Sequence, residues 1–301
     1  DASFYLFRTE DAVNEVPLEE TLWVEAAERA DSLGVDIINT SLGYTTFDNG
    51  IGDHTYSDLD GRTSVISLAA NISARVGIIV VAAAGNEGST SWKYISCPAD
   101  ADSIFSIGSV DSQGIRSAFS SQGPTSDGRI KPDLMARGSG ATVMTSNGTI
   151  GTSSGTSFAS PIICGATASL LQLAKSVNVN YDIQDFMNLI RNSANNSFNP
   201  DSLMGYGIPN YGSLISHIGY NEKNVEDLFK LSYSENGWRI LWSDSLSIQK
   251  IEVYDYTGRI LFEKNCYSGC TDFIVPKYSF GTIVKVLAES QQSLKIPPFK
   301  F

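Results

Sequence analysis

The residues best suited to chemistry are Gly155-Thr156-Ser157-Phe158-Ala159-Ser160-Pro161, which stand between a glycine-rich loop and a long apolar run. A serine at a helix start has unpaired backbone N–H groups beside it and the positive end of the helix dipole behind it. Those donors can hold the oxyanion that forms when a serine oxygen attacks a carbonyl carbon. Ser157 is therefore the candidate nucleophile. A helix cap uses the same residue type at the same place, and this motif alone leaves the two readings balanced. Pro161 fits a first helical turn, whose N–H groups have no helical partner.

Two further segments favour chemistry. Ala82-Ala83-Ala84-Gly85-Asn86-Glu87-Gly88 ends an apolar run in a sharp turn. It presents Asn86 at a strand's carboxyl end, the edge where sites collect in open α/β sheets. The Asn86 amide can donate to the same oxyanion. Ser41-Leu42-Gly43-Tyr44 ends an earlier run, and its backbone can pair with an extended peptide.

The elements that must position these residues alternate. Leu18 to Leu33 carries Leu22, Ala26, Ala30 and Leu33 on one helical face and stops at Gly34. Val35 to Leu42 follows as a strand. Arg62 to Val76 predicts a second helix with a stripe of Val65, Ile66, Leu68, Ala69, Ile72 and Val76, stopped by Gly77. Ile78 to Ala84 is a nearly continuous apolar strand, the kind buried on both faces of a parallel sheet. Ser103 to Val110 adds a strand, and Phe158 to Ala174 and Ile183 to Ser193 add helices. This succession implies a doubly wound α/β domain over residues 1–220. Beyond Asn221 the pattern changes to short alternating strands, Trp238 to Trp242, Ile248 to Tyr254, Arg259 to Glu263, Phe273 to Val275 and Thr282 to Ala288, so residues 221–301 form a small all-β domain.

Composition excludes some functions. The 301 residues are 42% hydrophobic and 18% charged, enough for a sizeable core. Lys plus Arg total 21 against 33 Asp plus Glu, a net charge of −12, which argues against nucleic acid as a partner. No stretch reaches the roughly 18 uninterrupted apolar residues of a membrane span. Cys97 and Cys164 lie in apolar or small-residue surroundings and read as buried thiols, whereas Cys266 and Cys270 are spaced for a local disulfide. The acidic loop with Asp48, Asp53, Asp58 and Asp60 could hold a structural calcium ion, but it lacks the ligand spacing of a calcium loop and a solvated loop is expected. No metal site is assigned.

Asn39-Thr40-Ser41-Leu42-Gly43, Ala83-Ala84-Gly85-Asn86-Glu87-Gly88, Phe119-Ser120-Ser121-Gln122-Gly123-Pro124, Lys131-Pro132-Asp133-Leu134-Met135-Ala136 and Gly155 to Pro161 occur in that order. In this order they resemble the subtilases over residues 1 to 217. The resemblance implies a subtilisin-like three-layer α/β fold with a mostly parallel sheet, present in part, and a serine endopeptidase acting on protein or peptide substrates without a cofactor. It implies Ser157 as nucleophile and Asn86 as oxyanion donor. Ser41, Leu42 and Gly43 on one side and Ala83, Ala84 and Gly85 on the other would wall the substrate cleft. Tyr44 and Phe47 would border it and favour apolar or aromatic side chains. Asp133 falls at a structural loop position of that pattern.

A serine nucleophile needs a base, normally a histidine oriented by an aspartate. The family's Asp and His motifs precede the region that Asp1 to Leu6 resembles, and the histidines here are His54 and His217. The triad Asp and His are accordingly expected upstream of residue 1, with His54 a solvated loop histidine. The alternative is a catalytically silent peptide-binding homologue. Ile251 to Ile260, with Gly281 to Val286 and the basic tail Lys295 to Lys300, resembles the C-terminal sorting domain of the Bacteroidetes type IX secretion system, although the sequence departs from that pattern before Gly281. This implies a β-sandwich that engages secretion machinery, and a secreted or cell-surface protein. A generic β accessory domain is the competing reading.

Overall fold

A computed structural model describes residues 2–176, 182–218, 229–234, 237–242, 248–254, 259–266, 272–276, 283–288 and 293–296. The chain divides into two units, Asp1–Gly219 and Tyr220–Phe301.

The first unit is built on a parallel sheet of β1 (Ile37–Thr40), β2 (Ile79–Ala83), β3 (Phe105–Val110) and β4 (Leu134–Arg137), in that order. Every residue of β2 is buried. Its alternation divides the core: Val80 and Ala82 pack with α1 (Leu18–Ser32) and α2 (Val65–Arg75), while Ile79 and Val81 face α3 (Thr156–Ser176), α4 (Ile183–Asn192) and α5 (Tyr211–His217). The hairpin of β5 (Ala141–Met144) and β6 (Ile150–Ser153) leads into α3. This is the expected three-layer, subtilisin-like α/β arrangement. By length and composition α3 could cross a membrane; here its Ala159, Ile163, Leu170 and Ala174 are buried in the core beside the sheet.

Both leading helices bury only part of the face that their apolar residues predict, Ala30 in the first and Ile66 and Ala69 in the second. In α1 the buried residues are Glu19, Glu20, Trp23, Ala27 and Ala30. The Trp23 indole donates to Thr40 Oγ1 (3.0 Å), turning the helix toward the end of β1. In α2 the apolar Val65, Leu68, Ile72 and Val76 are exposed, and Ser67, Ala70, Asn71, Ser73 and Ala74 are buried beside Ile66 and Ala69. Small side chains allow close approach, and their polar groups are paired. Ser67 donates to the buried Asp100, and Asn71 Nδ2 donates to the Gly61 carbonyl (2.8 Å).

A buried ionic knot closes the other side. Asp133 accepts from Lys131 Nζ (2.7 Å), Arg191 Nε (2.9 Å) and the Ser106 N–H (2.8 Å). The same two cations donate to the Ile104 carbonyl. Burial would raise the Asp133 carboxyl, but Lys131 and Arg191 outweigh it and hold the group below the usual carboxylate range. Asp133 thus ties α4 to β3 and the start of β4.

The second unit contains two antiparallel sheets. One runs β10 (Ile260–Asn265), β9 (Ile248–Tyr254), β12 (Ile283–Ala288) and β13 (Ser293–Ile296), and the other β11 (Asp272–Pro276), β8 (Gly237–Trp242) and β7 (Phe229–Ser234). Phe262 of one sheet meets Phe273 of the other with ring centroids 5.5 Å apart. The strands β7 and β13 escape the sequence reading. Cys270, residues 256–258 and Gly281 lie outside the described residues.

Removing the anion from the knot strands two buried cations. Asp133→Ala is expected to destabilise the first unit by about 3–5 kcal/mol, read by urea unfolding. A loss below about 1 kcal/mol would mean that the knot is not a structural tie.

Candidate active site

The carboxyl ends of β1 and β2 meet the start of α3, as the parallel topology requires. Asn86 follows β2 and Ser157 is the second residue of α3. Two sets of hydrogen bonds join them. Asn86 Oδ1 accepts from the Thr156 N–H (2.9 Å) and Thr156 Oγ1 (3.1 Å), and Thr156 Oγ1 in turn accepts from the Gly85 N–H (3.2 Å). With the amide oxygen occupied twice, the amide nitrogen of the exposed Asn86 is left for the cleft.

The second set is reciprocal. Ser157 Oγ donates to the Ser41 carbonyl (3.0 Å), and Ser41 Oγ donates to the Ser157 carbonyl (3.0 Å). Pro161 explains why that carbonyl is open to Ser41. It lies inside α3, four residues beyond Ser157, where an N–H would otherwise take the Ser157 oxygen. The expected first-turn position of Pro161 is therefore corrected: its effect is to free an acceptor. One turn in, Ser160 Oγ donates to Asn39 Oδ1 (2.9 Å), a second tie to β1.

A cleft of about 220 Å³ is lined by Ser41, Leu42, Gly43, Thr45, Ala83, Gly85, Asn86, Glu87, Ser96, Thr156 and Ser157. Of the anticipated wall residues Ala84 does not line it; the residue is fully buried, its N–H donating to Ile107 and its carbonyl accepting from Ser96. Tyr44 and Phe47 are corrected as well. Both are buried in the core, and the Tyr44 hydroxyl donates to Glu10 (2.7 Å), so neither borders the cleft. Sequence reasoning missed Thr156 as the orienter of Asn86, although a hydroxyl residue just before the nucleophile is the available signal. It also missed Ser96, which nothing in its neighbourhood marks.

His54 is not a solvated loop residue. Its Nε2 lies 2.6 Å from Glu20 Oε1, with both side chains about nine-tenths buried, and its ring meets Phe47 edge-on. Its partner is thus on α1, and among the described residues no imidazole lines the cleft. The side chain of His217 lies outside the described residues. The acidic-loop carboxylates are engaged by backbone: Asp48 by the Glu15 N–H, Asp53 by Phe47, Asp58 by Thr55, and Asp60 by Arg62 and Thr63. Among the described residues, the acidic groups near enough to share an ion are Glu10, Glu15 and Glu19, and Glu19 already accepts from the Asp11 and Val16 N–H groups. Cys97 is buried and Cys164 half-buried, and burial pushes the Cys164 thiol up to about 11.

Residues 10–207 match the model of the Subtilase family. Subtilisin DY of Bacillus licheniformis is 36% identical over 149 residues, 49% of this chain and 47% of its own length. The membrane-bound transcription factor site-1 protease of Rattus norvegicus is 30% identical over 178 residues, 57% of this chain and 15% of its own. The chain thus spans less than half the length of these relatives. The structure of the prenylagaramide maturation protease PagA superposes with a TM-score of 0.53 at 27% identity, covering 67% of this chain and 68% of that one.

The His54–Glu20 pair makes stability depend on pH. The Glu20 hydrogen bond raises the His54 pKa against the lowering effect of burial, with Asp58 and Asp100 adding to the rise. A raised folded-state value means a contribution fully present below the unfolded value of about 6.5 and lost as pH rises through the folded value. The stability gap between the native protein and His54→Gln should therefore be widest in mildly acidic buffer and narrow under alkaline conditions. Urea titrations across that range measure it, and a gap independent of pH would contradict the pairing.

Proposed function

The chain belongs to the subtilase family, and on that premise we propose that it supplies the nucleophile and oxyanion donors of a serine endopeptidase. Ser157 Oγ attacks the carbonyl carbon of a peptide bond, and the Asn86 amide with the first-turn Ser157 N–H holds the oxyanion. The tetrahedral adduct collapses to an acyl-enzyme as the amine leaves, and water then releases the acid. The histidine that takes and returns the proton, with its orienting aspartate, comes from sequence upstream of Asp1 in this reading. The proposed chemistry calls on no cofactor. The observation that carries it is the locking of Asn86 by Thr156, which aims an amide nitrogen into the cleft beside the serine.

The second reading is a catalytically silent peptide-binding homologue. It draws on the Ser157 hydroxyl, which donates to the Ser41 carbonyl rather than to a base. A fluorophosphonate probe on the polypeptide with its native upstream sequence separates the two. Labelling that disappears in Ser157→Ala supports the peptidase, and Asn86→Ala should then cut kcat by about 10²–10³, a figure that comes from a subtilisin asparagine donor. Absence of labelling on that polypeptide would sink the peptidase in favour of the silent homologue. The 301 residues alone should show little turnover.

We also propose that residues 221–301 direct export through a type IX system, a reading supported by the Ile251 to Ile260 motif. Deleting them should leave the protein inside the producing cell, as followed by immunoblot of cells and medium. Normal release without them would reduce this unit to an accessory role.

A further inference from the structure

Four side chains join the end of β1 to the start of α3, and one of them lies behind the cleft rather than in it. Ser157 and Ser41 exchange their two hydrogen bonds, each 3.0 Å long. Behind them, Asn39 Nδ2 donates to Ser41 Oγ (3.0 Å), and Asn39 Oδ1 accepts from Ser160 Oγ (2.9 Å). Asn39 reaches Ser41 because extended residues two apart point the same way. Ser157 and Ser160 both reach β1 because residues three apart are neighbours on a helix. Asn39 is not among the residues that line the cleft, so contact with a substrate does not account for it.

Counting hydrogens fixes the direction of each bond. A serine hydroxyl has one hydrogen to give and two lone pairs. Ser41 Oγ gives its hydrogen to the Ser157 carbonyl, so the group behind it has to donate. Ser160 Oγ lies closer to Asn39 (2.9 Å) than to the Val81 carbonyl (3.4 Å), so the Asn39 atom it meets has to accept. A short side chain that accepts at one atom and donates at the other is an amide. A carboxylate of the same shape can only accept when ionised. It would draw the Ser41 hydrogen to itself and strand the Ser157 carbonyl, whose helical donor Pro161 has already removed.

We propose that Asn39 is a positioning residue for the nucleophile: by donating to Ser41 Oγ it directs the Ser41 hydrogen onto the Ser157 carbonyl. That bond seats the first turn of α3, whose hydroxyl and N–H do the chemistry. This role rests on the reading of Ser157 as the nucleophile of a peptidase. An inverted order of substitutions follows from it. Asn39→Ala removes a donor but lets the Ser41 hydrogen stay on the Ser157 carbonyl. Asn39→Asp keeps size and shape yet turns that hydrogen away, so the near-isostere is the more damaging change. Reaction rates are sensitive to small misplacements of the attacking group, which puts the loss in kcat. KM is kept, since Asn39 forms no part of the cleft lining.

A double-mutant cycle on the polypeptide with its native upstream sequence tests this. Fluorophosphonate labelling counts the competent sites, so that unfolded protein does not enter kcat. With Ser41 in place, Asn39→Asp should lower kcat about tenfold, the size of one well-formed hydrogen bond, and Asn39→Ala should lower it less, both at unchanged KM. In a Ser41→Ala background, itself slower, neither Asn39 change should cost anything further, because the hydroxyl that Asn39 directs is gone. An Asn39 that merely supports the fold would cost the same in both backgrounds. Asn39→Asp no worse than Asn39→Ala, a loss confined to KM, or a loss that persists without the Ser41 hydroxyl would overturn the inference. The unsubstituted polypeptide tells the two failures apart. If it is labelled and the Asn39 variants match it, only the role of Asn39 falls; if it is not labelled, the peptidase falls and this role with it.

Discussion

The cleft depends on the two hydrogen bonds that Ser41 and Ser157 exchange. An α-helix normally consumes its own carbonyl groups, so a strand end has nothing to bond to on a helical turn. Pro161 removes one N–H from α3 and thereby leaves the Ser157 carbonyl for Ser41. A residue usually costly inside a helix here creates the acceptor that seats α3 on the strand edge. Thr156 repeats the connection to β2 through Asn86 and Gly85. The helix start and the two strand ends are thus one hydrogen-bonded body.

This joint needs close approach, and the rest of the unit supplies it. Gly43 and Gly85 let Ser96 sit between the walls, and Gly85 holds a φ of +107°, where a side chain would be strained. On the outer side, α2 reaches the sheet by burying Ala70, Ser73 and Ala74 beside Ile66, while Val65, Leu68 and Ile72 stay exposed. Asp133 meanwhile adds charge to the apolar contact that holds α4 against β3 and β4. Such an ionic tie adds less net stability than an apolar core of equal volume, and its geometry is more restrictive.

These differences explain which parts were legible in the sequence. The β2 strand was legible because a run buried on both faces has no polar alternation to confuse it. The placement of Ser157 and Asn86 was legible because polar side chains at element ends beside glycines stand out. The faces of α1 and α2 were not, since a tryptophan donating to Thr40 and a buried serine-asparagine row invert the usual apolar rule. His54 looked solvated because its loop is acidic; its partner Glu20 is buried on a helix 34 residues away in the chain. Ser96 is invisible for a related reason: its place beside Gly43 and Gly85 is set by tertiary structure alone.

In the proposed function, substrate binding and proton transfer are therefore separable. The cleft walls and the amide held by Thr156 are set by bonds within residues 39–160, and none of these bonds involves an imidazole. A base placed beside Ser157 would have to compete for its hydroxyl with the Ser41 carbonyl at 3.0 Å. That competition costs about one ordinary hydrogen bond, roughly 0.5–1.5 kcal/mol, which is small beside the barrier reduction that general-base assistance can bring, about 10²–10⁴ in rate. In the proposed peptidase, the Ser41 contact consequently orients the serine without holding it back.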